Sequence, residues 1–182
     1  MGGKQTWAVL SDGMTDWTEV YRPVLGKEIA GLVWMPITAD TPQLASELQM
    51  ASYSFSGAAF VRFATQDAIN LSWQQVEDRS VLATAQDAAW VAHSLDRIQA
   101  AGDLWIGLIG STLTSVELFT LPDDEHRRVV GVKHRTTNGS FWVGTGGKDF
   151  VGDQDDLWVG VDCDPPNYSD LISLGIVEPE VR

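Results

Sequence analysis

The amino-acid sequence predicts an α+β domain, a curved and mainly antiparallel β-sheet built from hairpins, with two helices, about 41–52 and 84–101, packed on it. Three observations carry this expectation. Apolar and polar residues alternate with period two over 58–74 and again over 130–143, as strands with one buried face do. Asn138-Gly139 punctuates the second run, and this pair is the strongest short-range hairpin signal because both residues accept positive φ. Thr84-Ala85-Gln86-Asp87 has the form of a helix capping box, after which Ala88, Val91, Leu95 and Ile98 recur at helical spacing as far as Gly102.

In chain order, residues 6–10 (TWAVL) read as a short strand closed by the turn cluster Ser11-Asp12-Gly13, with 17–22 pairing back on it. Residues 28–35 (EIAGLVWM) are apolar enough for a buried strand that Pro36 ends. Thr41 and Pro42 open the first helix as N-cap and first helical residue, with Leu44, Leu48 and Ala51 along one face. Around Thr65-Gln66-Asp67 a hairpin is expected in which Ile69, Leu71 and Trp73 alternate with Asn70, Ser72 and Gln74 on a half-exposed sheet. Residues 103–109 (DLWIGLI) and 115–121 (SVELFTL) read as strands on either side of Gly110-Ser111-Thr112.

With Asn138 and Gly139 as the loop, Arg135 faces Trp142 and His134 faces Val143. Val130, Val132, His134, Thr136, Phe141 and Val143 then look inward, while Lys133, Arg135, Ser140 and Trp142 occupy the other face. The pairing suggests an Arg135 guanidinium stacked on the Trp142 indole. The word Trp-(Ile/Val)-Gly occurs at 105–107, 142–144 and 158–160, at unequal intervals. It is a recurring strand idiom, in which Trp covers a sheet face and Gly admits close packing, and not the period of a repeat protein. After the turn at Pro165-Pro166-Asn167, residues 168–174 offer one or two helical turns.

No low-complexity linker or shift of composition divides residues 1–182, so a single domain is expected. The net charge of −13 argues against direct nucleic-acid binding, which needs a basic surface, and against anionic membranes. It would speed association with a basic partner, although solubility alone also selects acidic chains. Cys163 is the single cysteine, which excludes an intrachain disulfide. No apolar run is long enough for a signal-peptide core or a membrane span, and the expected location is cytoplasmic.

Charge is unevenly placed. Between 149 and 181 there are nine acidic residues and no Lys or Arg. The candidate partner-binding residues are Asp149, Phe150, Asp153, Asp155, Asp156, Trp158, Asp162 and Asp164, in which carboxylates would steer a basic partner and rings would supply buried area. Two other readings compete. Clustered aspartates can hold calcium, but GGKDFVGDQDDLW lacks the EF-hand spacing and its terminal Glu. A charged loop can also be a solvated face that keeps a sheet edge from pairing. The basic residues at 126–128 and 133–135 can pair with the acidic loop.

No catalytic residue, metal or cofactor is assigned. Cys163 sits between two aspartates, which raises its pKa and makes it a poor nucleophile. His134 faces inward, where a core histidine with a backbone partner is the commoner explanation. Nucleophile elbow, phosphate loop, dinucleotide fingerprint, His-Glu-x-x-His and Cys-x-x-Cys patterns do not occur. The function predicted is an acidic cytosolic protein-binding module, of the kind an inhibitor or immunity protein uses to neutralise a basic partner such as a toxin. The alternatives are a small hydrolase-like enzyme with a scattered site, His134 and an aspartate of the cluster, or a structural subunit of a larger assembly. Eight tryptophans suit burial between copies as well as within a core.

Overall fold

A computed structural model of the chain describes residues 16–36, 48–77, 79–85, 98–100, 103–145 and 156–180. In chain order these form α1 (Trp17–Tyr21), β1 (Ile29–Pro36), β2 (Ser52–Phe55), β3 (Gly57–Phe63), β4 (Ala68–Val76), β5 (Arg79–Ala85) and β6 (Ile98–Gln99). There follow α2 (Asp103–Ile106), β7 (Leu113–Thr120), β8 (Gly131–Thr136), β9 (Gly139–Thr145), β10 (Leu157–Val161), a 3-10 turn (Tyr168–Asp170) and β11 (Ile172–Val177). All pairings are antiparallel, in a five-stranded sheet of order β5-β4-β3-β1-β6 and a six-stranded sheet of order β11-β7-β8-β9-β10-β2. The α+β class and the antiparallel sheet are therefore as the sequence predicts.

The alternating runs bury one face of each sheet against the other. Leu32, Trp34, Val61, Leu71 and Leu82 from the first sheet meet Val116, Phe141, Val143 and Val159 from the second in one cluster. Trp34 is fully buried, edge-on to Trp105 at 5.1 Å between ring centroids, and donates its indole N–H to the Tyr53 hydroxyl. The sheets are also joined covalently. β2 runs into β3 through Ser56 alone, so Phe55 pairs with Leu157 in one sheet while Gly57 pairs with Pro36 in the other. Gly57 takes φ +153, and a Cβ there would stand 2.2 Å from the Met35 carbonyl oxygen, so only glycine fits the corner.

The helices expected over 41–52 and 84–101 fall largely outside the described residues, and only their ends can be compared. Of the helix expected over 41–52, residues 41–47 lie outside the described residues, Leu48 and Gln49 form a turn, and Ser52 begins β2. Of the helix expected over 84–101, residues 86–97 lie outside the described residues, but both ends are strand. Thr84 pairs with Leu71 and is buried, and Ile98 pairs with Trp34. Strand pairing thus takes Thr84 and Ala85, the first two residues of the capping-box pattern.

The two α-helices among the described residues are short. Residues 17–22 are not a strand but α1, because the Asp16 carboxylate caps Glu19 N at 3.2 Å and the helix buries Trp17 and Tyr21 together. Residues 103–109 are likewise not a strand. Trp105 and Leu108, three apart, enter the core while Leu104 and Ile106 remain about half exposed, a helical and not an alternating pattern. The strand expected over 6–10 lies outside the described residues.

The β8–β9 hairpin forms with its register moved by two. Thr136 pairs with Gly139 and Lys133 with Trp142, so Thr137 and Asn138 are the loop and neither has positive φ; Gly139 alone does, at +153. An even shift preserves faces, so Val132, His134, Phe141 and Val143 still point into the main core. Val130 does not; it joins Phe119, Leu121, Trp142 and Trp158 in a second cluster on the other face of the sheet. The two Trp-Val-Gly words of β9 and β10 lie side by side, Trp142 opposite Gly160 and Trp158 opposite Gly144. The third copy is helical.

Candidate functional site

Two carboxylates just past the end of β10 can be followed atom by atom. Asp162, with φ +49, accepts from Ser140 N at 2.7 Å and closes the turn of the β8–β9 hairpin. Asp164 accepts from the Lys133 ammonium at 2.7 Å and from the Trp142 indole at 3.1 Å. Burial pushes the Asp164 carboxyl up, but Lys133 and the indole outweigh it and hold it below the usual carboxylate range. Asp156 is half-buried. Trp158 is 3% exposed and packs in the second cluster. Asp149, Phe150, Asp153 and Asp155 lie outside the described residues. Asp162 and Asp164 are thus exposed but engaged at the hairpin, and Trp158 presents no free ring.

The register shift replaces the expected Arg135 stack with a different cation. Lys133, not Arg135, lies over the Trp142 ring at 5.5 Å and over Tyr168 at 5.6 Å, while Arg135 pairs with Glu117 at 2.6 Å. The internal pairing expected between the basic segment and the acidic stretch is represented by Lys133 and Asp164.

Neither thiol nor imidazole is arranged for chemistry. Burial raises the Cys163 pKa, with Asp164 and Asp162 adding to it. His134 is buried, stacked on Phe141 at 4.2 Å, and both ring nitrogens are engaged, by the Tyr21 hydroxyl and the Phe141 carbonyl. No carboxylate reaches it among the described residues. Also among the described residues, no group of three His, Cys, Asp or Glu side chains is placed to hold a metal, and no helix is long and apolar enough to cross a membrane.

The feature that sequence reasoning missed is β11. Residues 168–174 give a 3-10 turn and then a strand, not further helix. β11 is the edge of the six-stranded sheet and pairs only with β7 among the described residues. Ile172 and Ile176 are 45% and 52% exposed. From Leu171 to Val177 the sequence carries no charge, while Asp170, Glu178 and Glu180 flank it. A protected edge normally carries charge within the strand; here the one protective device is the bulge at Ser173 and Gly175. The signal was available as an uncharged apolar run inside the acidic, cation-free stretch.

No protein-family model matches this chain, and no curated protein or solved structure compared with it gives a significant match.

Proposed function

We propose that this chain is a protein-binding module that takes a basic, extended segment of a partner along the free edge of β11. The observation that carries the reading is the uncharged edge strand with two half-exposed isoleucines, bracketed by carboxylates in a chain of net charge −13. Strand addition supplies main-chain hydrogen bonds, and because the bulge at Ser173 and Gly175 turns the strand over, side chains of the added strand meet Ile172 on one face of the sheet and Ile176 on the other. The surrounding negative field speeds encounter with a cationic segment and rejects an acidic one. An inhibitor or immunity-type protein that occludes a basic partner would use such a surface.

The test is binding of a short peptide alternating lysine and valine, read by fluorescence polarisation, against the same peptide with glutamate for lysine. The lysine peptide should bind, and weaken several-fold between about 50 and 300 mM salt. Ile176→Lys should abolish binding, whereas Ile106→Lys, at the exposed face of α2, should not. Equal binding of both peptides, or binding that survives Ile176→Lys, refutes the reading.

A further inference from the structure

Asn70 sits in β4 between two core residues, Ile69 and Leu71, opposite Phe60 and on the other face of the sheet. It is 2% exposed, and neither its amide nitrogen nor its amide oxygen has a hydrogen-bond partner among the described residues. Turning the amide over changes nothing, because both atoms are unpaired. Folded proteins rarely retain such groups, since a buried amide gives up its water without recompense. A leucine, branched at the same carbon, would have left no polar atom unpaired there.

The same residue forms part of the wall of a cleft of about 380 Å³. The cleft lies between the α1 segment, through Glu19, Val20 and Pro23, and the β3–β4 hairpin, through Phe60, Ile69 and Asn70. Its volume falls within the range of small-molecule sites. The rim carboxylates are Glu19, paired with Arg22, and Asp67, paired with Lys27. No lysine or arginine lines the cleft among the described residues, so the charged groups an anion would meet there are carboxylates.

We propose that this cleft binds a small, neutral, planar amide, such as a primary carboxamide, lactam or ureide, and that Asn70 recognises it. A carboxamide side chain donates through Nδ2 and accepts through Oδ1, and a ligand with an N–H beside a C=O satisfies both at once. A ketone leaves the Asn70 oxygen unpaired, and a carboxylate does so while facing Glu19 and Asp67. Phe60, Ile69 and Val20 offer an apolar surface to the flat body of the ligand. The amide atoms are shielded from solvent, so engagement requires a rotamer change at Asn70, which two hydrogen bonds in a dry site offset. The site is separate from β11 and stands or falls independently of it.

Benzamide, acetophenone and benzoate are the probes, matched in size and differing in the edge they present, and titration calorimetry on the full chain is the measurement. Benzamide should bind the wild type at least about ten-fold tighter than either of the others. In Asn70→Leu that preference should vanish, and the melting temperature should stay level or rise, because an unpaired buried amide has been replaced by an apolar group of similar shape. The proposal is overturned if benzamide shows no preference in the wild type, or if the preference survives Asn70→Leu. It is equally overturned if Asn70→Leu melts lower or fails to fold, which would mean that the fold itself satisfies Asn70.

Discussion

The Tyr21 hydroxyl donates to Nε2 of His134 across 2.8 Å in the centre of the core. The other ring nitrogen, Nδ1, faces the Phe141 carbonyl at 3.3 Å, and since a carbonyl can only accept, Nδ1 carries the proton. The ring is neutral; a protonated imidazolium could give its second N–H only to the Tyr21 oxygen, which would turn the hydroxyl proton away from the ring.

Burial accordingly pushes the His134 pKa down to about 3, against about 6.5 in an unfolded chain. Between these values the unfolded chain binds a proton that the folded chain does not. Stability is complete above about pH 6.5 and falls as pH drops toward 3, by at most about 1.4 kcal/mol per unit. The carboxylates held low, Asp124 and Asp164, are lost in the same direction but only below about pH 4. Urea titrations between about pH 5 and 7 should therefore show a decline of about 2 kcal/mol at the acid end. The decline should be absent in Tyr21→Phe/His134→Phe, and a level wild-type profile would contradict the neutral core ring.

Arg128 and Asp124 form a pair in which both side chains are almost fully buried, with Arg128 Nη2 and Nε within 2.9–3.2 Å of the Asp124 oxygens. Asp124 also accepts from the backbone N–H of His126 and of Arg128, which fixes the turn before β8. Asp124→Ala should destabilise by about 1–3 kcal/mol, because it leaves the buried guanidinium with only the exposed Glu77 carboxylate, 3.1 Å from Nη1, among the partners the described residues offer. Asp124→Leu/Arg128→Met should lose less than Asp124→Ala alone in chemical denaturation.

Gly160 and Gly26 separate two reasons for glycine. At Gly160 a Cβ would stand 2.5 Å from the Trp158 ring and 2.9 Å from Cys163 Sγ, with no positive φ. At Gly26 φ is +79 and nothing lies within 4 Å. Gly160→Ala should cost about 1–3 kcal/mol through overpacking and alter tryptophan fluorescence. Gly26→Ala should cost about 1 kcal/mol through backbone strain and leave the fluorescence unchanged.

Lys133 and Asp164 test the hairpin register. A double-mutant cycle on Lys133→Met and Asp164→Asn should give a coupling of about 1 kcal/mol, since Lys133 is mostly buried while Asp164 is part-exposed. A cycle on Arg135 and Trp142 should give a coupling near zero. The reverse outcome would restore the pairing in which Asn138 and Gly139 form the loop.

Alternation was a sound guide wherever one face of a strand meets the core, as in β3, β4, β8 and β9. It also survived the wrong turn, because an even displacement leaves every side chain on its face. Local pattern failed where non-local pairing decided the structure. Thr84 begins a convincing capping box, yet it lies opposite Leu71. Residues 103–109 have strand composition, but Trp105 and Leu108 can both reach Trp34 and its neighbours only from a helical turn. Asn70 alternates with Ser72 and Gln74 on a face that reads as solvated, and only tertiary packing buries it. The aspartates at 162 and 164 were legible as acidic, but their service to the hairpin depends on strands that meet across more than twenty residues.

Because the polypeptide passes from one layer into the other at Ser56 without slack, neither layer can peel away while its neighbour persists. Melting should be all-or-none among these strands, with calorimetric and van't Hoff enthalpies in agreement. A cut at that corner would part β1 and β2, one strand from each layer, from the strands that complete both, and the two fragments should recombine slowly, if at all.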